Sequence, residues 1–218
     1  TILGTARRCG HLNIPLLTIN LGRVGFLAEL EVHELSQYLP QIINREYRLE
    51  NRMMLRITAR RGDDIIFQSE ALNEATVLRQ GIARMIRLQV LMDSRPVARY
   101  VADGLICATP TGSTGYSLSC GGPILTPEVN SFVITPIAPH NLNARPLVIP
   151  DDREIRLKVS GREEYYLVSL DSRITSIKND SELVIKKTPF KINMVEISEE
   201  TFFKTLRSKL LWGEDKRN

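Results

Sequence analysis

From about Tyr47 onward the chain is a succession of short apolar runs separated by turn signals, and this pattern restricts the fold more than any other feature. Met53–Ala59, Ile65–Phe67, Ala75–Leu78, Met85–Met92, Val97–Tyr100, Gly104–Ala108, Phe132–Pro136, Ile155–Val159, Tyr165–Leu170 and Leu183–Lys187 have the length and composition of strands. Arg61-Gly62-Asp63, Asp93-Ser94, Asp151-Asp152, Ser160-Gly161 and Asn179-Asp180 supply turn-forming residues between them. Many short strands at such spacing predict a sandwich or a mixed β domain. The part before Tyr47 has a different texture. Residues 2–12 have helical composition, with Leu3, Ala6 and Leu12 suitably spaced, and Asn13 and Pro15 end the pattern. Ile14–Asn20 follows as a short apolar strand, so that helix and strand make half of a βαβ unit. A turn through Gly22 and Gly25 leads to a second helix over Glu31–Ile43, whose Leu35, Leu39 and Ile42 share one face. A last helix over Thr201–Leu211 aligns Phe202, Leu206 and Leu210. The expected order is therefore an α/β portion, a β-rich domain and a terminal helix free to pack back on the first part.

The chain has 218 residues, of which 43% are hydrophobic and 25% charged, the balance of an ordinary globular protein with a real core. No apolar run approaches the roughly 20 residues that span a bilayer, and the N-terminus lacks a signal-peptide pattern. The three cysteines, Cys9, Cys107 and Cys120, match no zinc spacing and sit among small or apolar residues. They are expected to be buried free thiols, with a cytoplasmic location as the consequence. Net charge is +4, but the arginines are scattered and aromatic residues make up only 6%, so a nucleic-acid stripe is not expected. An anionic small ligand suits the same charge. With only three histidines, His11, His33 and His140, a histidine-based metal site is not expected either. The opening helix at Thr1 has no residues before it to cap or pack it, which leads to the expectation of residues upstream.

One segment stands out chemically. Ala102–Pro123 reads ADGLICATPTGSTGYSLSCGGP. Gly112 and Gly115 allow close approach of a ligand or a positive φ. Thr111, Ser113, Thr114, Ser117 and Ser119 supply a dense set of hydroxyls. A short helix beginning near Ser113 would turn its free N–H groups toward phosphate or ribose oxygens, and Tyr116 offers a ring for stacking. Taken alone, a loop of this composition is more often a simple turn. Asn73-Glu74, between two strand-like runs, can bind both hydroxyls of a ribose, although such a pair alone is more often a polar turn. Asp103, Asp151-Asp152 and Asp171 sit at strand ends, where capping and turn roles are the common ones.

Together these segments resemble the NAD kinase family along nearly the whole length. The matching stretches are INLGRVGFLAEL (19–30), LNEATVLRQGIARMI (72–86), ADGLICATPTGSTGYSLSCGGPILTP (102–127), TPIAPHNLNARPLVIP (135–150) and FFKTLRSKLLW (202–212). The third is the most specific, joining the DG, TPTGST and GGPI elements. The resemblance implies phosphate transfer from ATP, or in some members inorganic polyphosphate, to the 2′-hydroxyl of the adenosine ribose of NAD, with Mg²⁺ accompanying the nucleotide. It implies a partial Rossmann-like α/β domain at residues 1–46, a β-sandwich-like NAD-binding and oligomerisation domain at 47–198, and a helix at 199–218 that returns to the first domain. Assembly as a homodimer or homotetramer follows from the same resemblance, with no nucleic-acid or membrane partner.

By resemblance, Asn73 and Glu74 hold a ribose of NAD. Thr114, Gly115, Tyr116, Ser117 and Ser119 line the adenosine pocket, and Asp103 and Thr111 lie toward the nicotinamide. Arg84 matches a position that touches the dinucleotide, Ala138 and His140 match a stretch that contacts a neighbour's ligand, and Asp171 with Arg173 falls on the late Asp-Gly-Gln or Asp-Ser-Gln element. Three departures accompany the match. The family's GGDG loop, whose Asp acts as base toward the ribose hydroxyl, would end just before Thr1, so residues 1–218 alone are expected to be inactive. A basic residue common two positions before the DG aspartate is Val101 here, and the Gln after Asp171-Ser172 is Arg173. These departures motivate a competing reading, a module that binds a dinucleotide without catalysis. A lipid or sugar kinase with a GGDG loop is a third reading, set against the TPTGSTGYSLSCGGP pattern that those families lack.

Overall fold

The computed structural model describes residues 2–21, 26–28, 30–81, 84–197 and 201–213, and the expected turn at Gly22 and Gly25 lies outside them. The chain divides into two compact units, Thr1–Arg52 with Lys191–Asn218, and Met53–Phe190.

In the first unit, α1 (Ile2–Cys9) buries Ala6 and runs into a short 3-10 turn, Gly10–Leu12. Asn13 ends it in the left-handed region at φ 56°, a conformation that asparagine tolerates. The strand expected over Ile14–Asn20 is used at its two ends. Leu16 bridges Met194 in parallel, and β1 (Ile19–Asn20) pairs in parallel with β2 (Leu30–Glu31). The helix expected over Glu31–Ile43 is present as a 3-10 turn, Val32–Glu34, followed by α2 (Leu35–Ile43). Glu31 and Glu34 form a reciprocal capping box at its start, with the Glu31 N–H donating to Glu34 Oε2 at 2.8 Å. No described helix is long and apolar enough to cross a membrane.

The strands that follow are β3 (Arg48–Arg61), β4 (Asp64–Ala71), β5 (Glu74–Arg79), β6 (Ile86–Met92), β7 (Arg95–Ala102) and β8 (Gly104–Ala108). After the short helix α3 (Tyr116–Ser119) come β9 (Ser131–Ile137), β10 (Leu147–Pro150), β11 (Ile155–Ser160), β12 (Tyr165–Leu170), β13 (Arg173–Lys178) and β14 (Glu182–Glu196). They form two six-stranded sheets, ordered β4-β3-β14-β11-β6-β7 and β10-β9-β8-β5-β12-β13. Neighbours in the second sheet are antiparallel throughout.

Alternation decides which side chains form the core. In β11, Ile155, Leu157 and Val159 are buried while Lys158 is exposed. They join Leu88 and Val90 of β6, Val77 of β5, Leu105 and Cys107 of β8, Phe132 of β9 and Val168 of β12 in one apolar cluster. β8 is buried along its whole length because its other face is covered too. Ile106 and Ala108 pack with Val133, Ile137, Leu78, Cys120 and Leu125. The glycine-rich segment after β8 therefore lies over the outer face of the second sheet, which explains the uniformly apolar GLICA. β10 and β13 escape the sequence pattern, since β13 reads RITSIK and leaves Ile174 66% exposed. All three cysteines are free, but only Cys107 is buried, its thiol pushed up to about 12 by burial, while Cys9 and Cys120 are half-buried. The expectation of three buried thiols holds for one, because Cys9 lies at the end of α1 and Cys120 in the turn after α3, both half-buried.

Candidate nucleotide-binding site

Asn73 and Glu74 stand where the chain enters β5, between β8 and β12 in the second sheet. The register pairs Glu74 with Ala108, so the chain leaving β8 at Thr109 passes directly beside Asn73. The Thr109 N–H donates to Asn73 O at 2.9 Å, and its hydroxyl donates to Leu72 O at 2.6 Å. That hydroxyl also accepts from the Gly112 N–H at 3.2 Å. A Cβ at Gly112 would lie 2.1 Å from Asn73 O. Gly112 is thus required by close approach to a peptide of its own protein rather than by a ligand or a positive φ. Gly115 borders the site itself: its Cβ would meet Glu74 Oε2 at 3.4 Å.

The single helix expected from Ser113 is two pieces, a 3-10 turn over Thr111–Thr114 and α3, broken at Gly115 with φ −95° and ψ −133°. The hydroxyls divide accordingly. Ser113 is buried, donating to Pro110 O at 2.6 Å and accepting from the Leu125 N–H at 3.0 Å. Ser117 is buried with its hydroxyl 2.8 Å from that of Thr135. Thr111 is buried, Thr114 half-buried, and Gly115, Tyr116 and Ser119 exposed. Burial, then Cys120 and Asp103, raise the Tyr116 phenol above its ordinary value.

Asp103 is paired with Arg79 at 2.6 Å, and Arg79 also donates to Gly81 O at 2.6 Å. The Asp103 N–H donates to Ile137 O at 3.0 Å and the His140 N–H to Val101 O at 2.8 Å. Those bonds bring Asp103, Ala138 and His140 together, with Ala138 in the left-handed region at φ 43°. Arg84 is exposed. Asp171 is buried, its carboxylate accepting from the N–H groups of Leu72, Asn73 and Glu74 at 2.8, 2.9 and 3.3 Å. Arg173 donates to Ser69 Oγ at 2.9 Å and Glu70 O at 2.6 Å.

Two oxygens at this site are buried and have no protein partner: Asn73 Oδ1 and Glu74 Oε2. Unpaired buried acceptors are costly, and a pair of hydroxyl donors would satisfy them. Burial first, then the charge of Asp171, pushes the Glu74 carboxyl up to about 7. Sequence reasoning did not single out Thr109 or Arg79. Thr109 lies within the glycine-rich segment, and its threonine was the available signal. Arg79 had none, since its pairing with Asp103 depends on β5 and β8 being neighbours.

The comparisons with known proteins agree with this geometry. Residues 72–197 match the ATP-NAD kinase C-terminal domain and residues 1–47 the ATP-NAD kinase N-terminal domain. An NAD kinase of Flavobacterium psychrophilum is 60% identical over 94% of this chain and 70% of its own length. One from Flavobacterium johnsoniae is 56% identical over 100% of this chain and 74% of its own length. A yeast NADH kinase, solved with NADH, matches with a TM-score of 0.92 at 27% identity, over 100% of this chain and 64% of that one. An Archaeoglobus fulgidus NAD kinase, solved with ATP, matches with a TM-score of 0.76 at 31% identity, over 94% of this chain and 80% of that one. The sandwich, the glycine-rich cover on its second sheet and these matches over both units have one meaning: the chain belongs to the NAD kinase family.

Proposed function

We propose that the protein phosphorylates NAD to NADP, with ATP or inorganic polyphosphate as donor, and that Asn73 and Glu74 bind a ribose of NAD. The observation that carries this reading is the pair of unpartnered oxygens, Asn73 Oδ1 and Glu74 Oε2, adjacent in sequence at the mouth of β5. Two acceptors side by side fit the two hydroxyls of a ribose, each donating one hydrogen bond. The exposed Tyr116 is available to stack on a base, with Thr114, Gly115, Ser117 and Ser119 around it as the adenosine side. Asp103 and Thr111 form the nicotinamide side, Arg84 reaches the dinucleotide, and Asp171 and Arg173 support the site from behind, at the turn after β12. The relatives solved with NADH and with ATP support both ligand classes.

The reaction moves one phosphoryl group. The 2′-oxygen forms a bond to the γ-phosphorus, the bond to the bridging oxygen breaks, ADP leaves, and the hydroxyl proton goes to a general base. Such a transfer depends chiefly on positioning and on neutralising charge. The residues described here do the first of these for the acceptor. No group of three or more His, Cys, Asp or Glu among the described residues is arranged to hold a metal. Mg²⁺ in this reading comes bound to the ATP phosphates, where it neutralises charge. Homodimeric or homotetrameric assembly and a cytoplasmic location belong to the same reading. Their support is family membership, the exposed Ala138 and His140, and free cysteines.

The test is an assay of the full-length protein with ATP, Mg²⁺ and NAD, following NADP, alongside NAD binding by calorimetry. NADP formation is expected. Micromolar NAD binding without any turnover would replace this reading with that of a dinucleotide sensor.

A further inference from the structure

β12 and β13 are joined by two residues, Asp171 and Ser172, with Leu170 opposite Arg173. Both turn residues are left-handed, at φ 46° and 68°, as a tight hairpin of right-twisted strands requires. Aspartate accepts that conformation better than most residues. The turn folds the aspartate inward, against the start of β5. Its Oδ2 accepts from the Leu72 N–H, its Oδ1 accepts from the N–H groups of Asn73 and Glu74, and its own N–H donates to Glu74 O at 3.3 Å. Three successive amides converge on one carboxylate.

The opposite edge of the same peptides is held as firmly. Leu72 O accepts from the Thr109 hydroxyl and Asn73 O from the Thr109 N–H. One step earlier, Arg173 grips Ser69 Oγ and Glu70 O. The stretch from Ser69 to Glu74 is therefore clamped from the β12–β13 turn on one side and from the glycine-rich segment on the other. The side chains it delivers are the two with unpartnered oxygens. Both oxygens of Asp171 are already engaged, and the residue is 8% exposed. That geometry assigns it a task other than contact with a ligand.

We propose that Asp171 is a positioning residue: by holding the amides of Leu72, Asn73 and Glu74 it aims the Asn73 and Glu74 side chains at the ribose without touching NAD itself. The inference rests on the ribose-binding reading of those two residues. It has an electrostatic corollary. The charged group acting on Glu74 is Asp171, with Arg173 acting on Asp171 in turn, while the glycine-rich segment presents the Gly115 backbone to Glu74. The aspartate thus sets the direction of Glu74 and adds to the rise in its affinity for a proton that burial begins.

The experiment uses the full-length protein with ATP and Mg²⁺ while NAD is varied from pH 5.5 to 8.5. Asp171→Asn keeps the size but removes the charge and offers an N–H₂ to amide donors. Its kcat/KM for NAD is expected to fall between about tenfold and a hundredfold, with the KM for ATP unchanged. The limb of kcat/KM near pH 7 that depends on Glu74 is expected to move to lower pH, because the neighbouring negative charge is gone. Ser172→Gly relieves a left-handed serine and is expected to keep wild-type kinetics. Unchanged NAD kinetics and an unchanged pH profile in a folded Asp171→Asn variant would overturn the proposal. Should that variant not fold, NMR on the wild-type protein decides. The amide resonances of Leu72, Asn73 and Glu74 are expected to titrate together with the Asp171 carboxyl, and independent behaviour refutes the bracing. A wild-type protein that makes no NADP defeats the ribose-binding reading and this one together. Turnover with Asp171→Asn indistinguishable from wild type defeats only this one.

Discussion

Replacing Gly112 by alanine adds one methyl group at the point where the glycine-rich segment crosses Asn73. The new Cβ would stand 2.1 Å from Asn73 O, 2.5 Å from its carbonyl carbon and 2.8 Å from its Cα, where ordinary contact begins at 3.4 Å. Relief requires a displacement of roughly 1 Å, since an overlap of that depth lies far up the repulsive wall. Nothing flexible is available to move. The obstructing atoms are backbone, pinned by the Thr109 N–H on the carbonyl and by Asp171 on the amide, each at 2.9 Å. Overpacking that shifts backbone costs about 1–3 kcal/mol, and loosening two buried hydrogen bonds adds about 1 kcal/mol. Gly112→Ala is thus expected to lose about 3 kcal/mol in urea unfolding. A displacement of roughly 1 Å at Asn73 is also expected to lower kcat/KM for NAD about a hundredfold. The control is Gly81→Ala, whose Cβ would meet nothing closer than Glu163 Oε1 at 3.7 Å. It is expected to match or slightly exceed wild-type stability, because alanine restricts the unfolded chain. Equal stability and equal NAD kinetics for the two alanine variants would show that Gly112 is a turn residue like any other.

Three further outcomes follow from the same site. Glu74 carries a carboxyl raised from 4.5 to about 7, so the folded protein holds a proton that the unfolded chain has released between those values. Stability of the ligand-free protein is expected to fall as pH rises through that window, by about 3 kcal/mol at most. Glu74→Gln should flatten this fall in urea titrations at pH 5 and pH 8, while NAD binding is lost; a fall that persists unchanged rules out Glu74 as its source. Arg79→Ala removes the partner of Asp103, a pair with side chains 23% and 34% exposed. Allowing for solvent screening this is worth about 1 kcal/mol, read as a roughly fivefold weaker NAD affinity by calorimetry, and unchanged affinity would separate Asp103 from the site. Thr109→Val deletes the hydroxyl that donates to Leu72 O and accepts from Gly112. Two buried groups lose their partner, at about 2–3 kcal/mol in thermal or urea unfolding, whereas Thr109→Ser should keep most of it.

Much of the architecture was legible because strand signals are local. Alternation in segments such as IRLKVS, and turn pairs such as Asp93-Ser94, mark strands and their ends whatever those strands later pair with. The short strands missed were β2, β10 and β13: β2 is two residues, β10 is the four-residue LVIP closed by a proline, and β13 sets its isoleucines among polar residues. Missing β13 concealed the hairpin at Asp171-Ser172. At the site, the glycine-rich segment and Asn73-Glu74 announced themselves by composition. Their relation did not, because it depends on β5 and β8 lying side by side.

The sequence by itself determined the β-rich domain, the chemistry concentrated between Ala102 and Pro123, and through its motifs the family. Tertiary structure alone decided what each polar residue does. Asp171 lies 98 positions from Asn73 along the chain and reads there as one more turn aspartate, yet folding makes it the anchor of the Asn73 and Glu74 backbone. Gly112 reads as room for a ligand or for a positive φ and proves to be the space into which the Asn73 carbonyl fits. The physical reason is common to both. Propensity and periodicity act over a few residues, whereas hydrogen bonds and steric contacts in a sandwich are made between strands that the sequence keeps far apart.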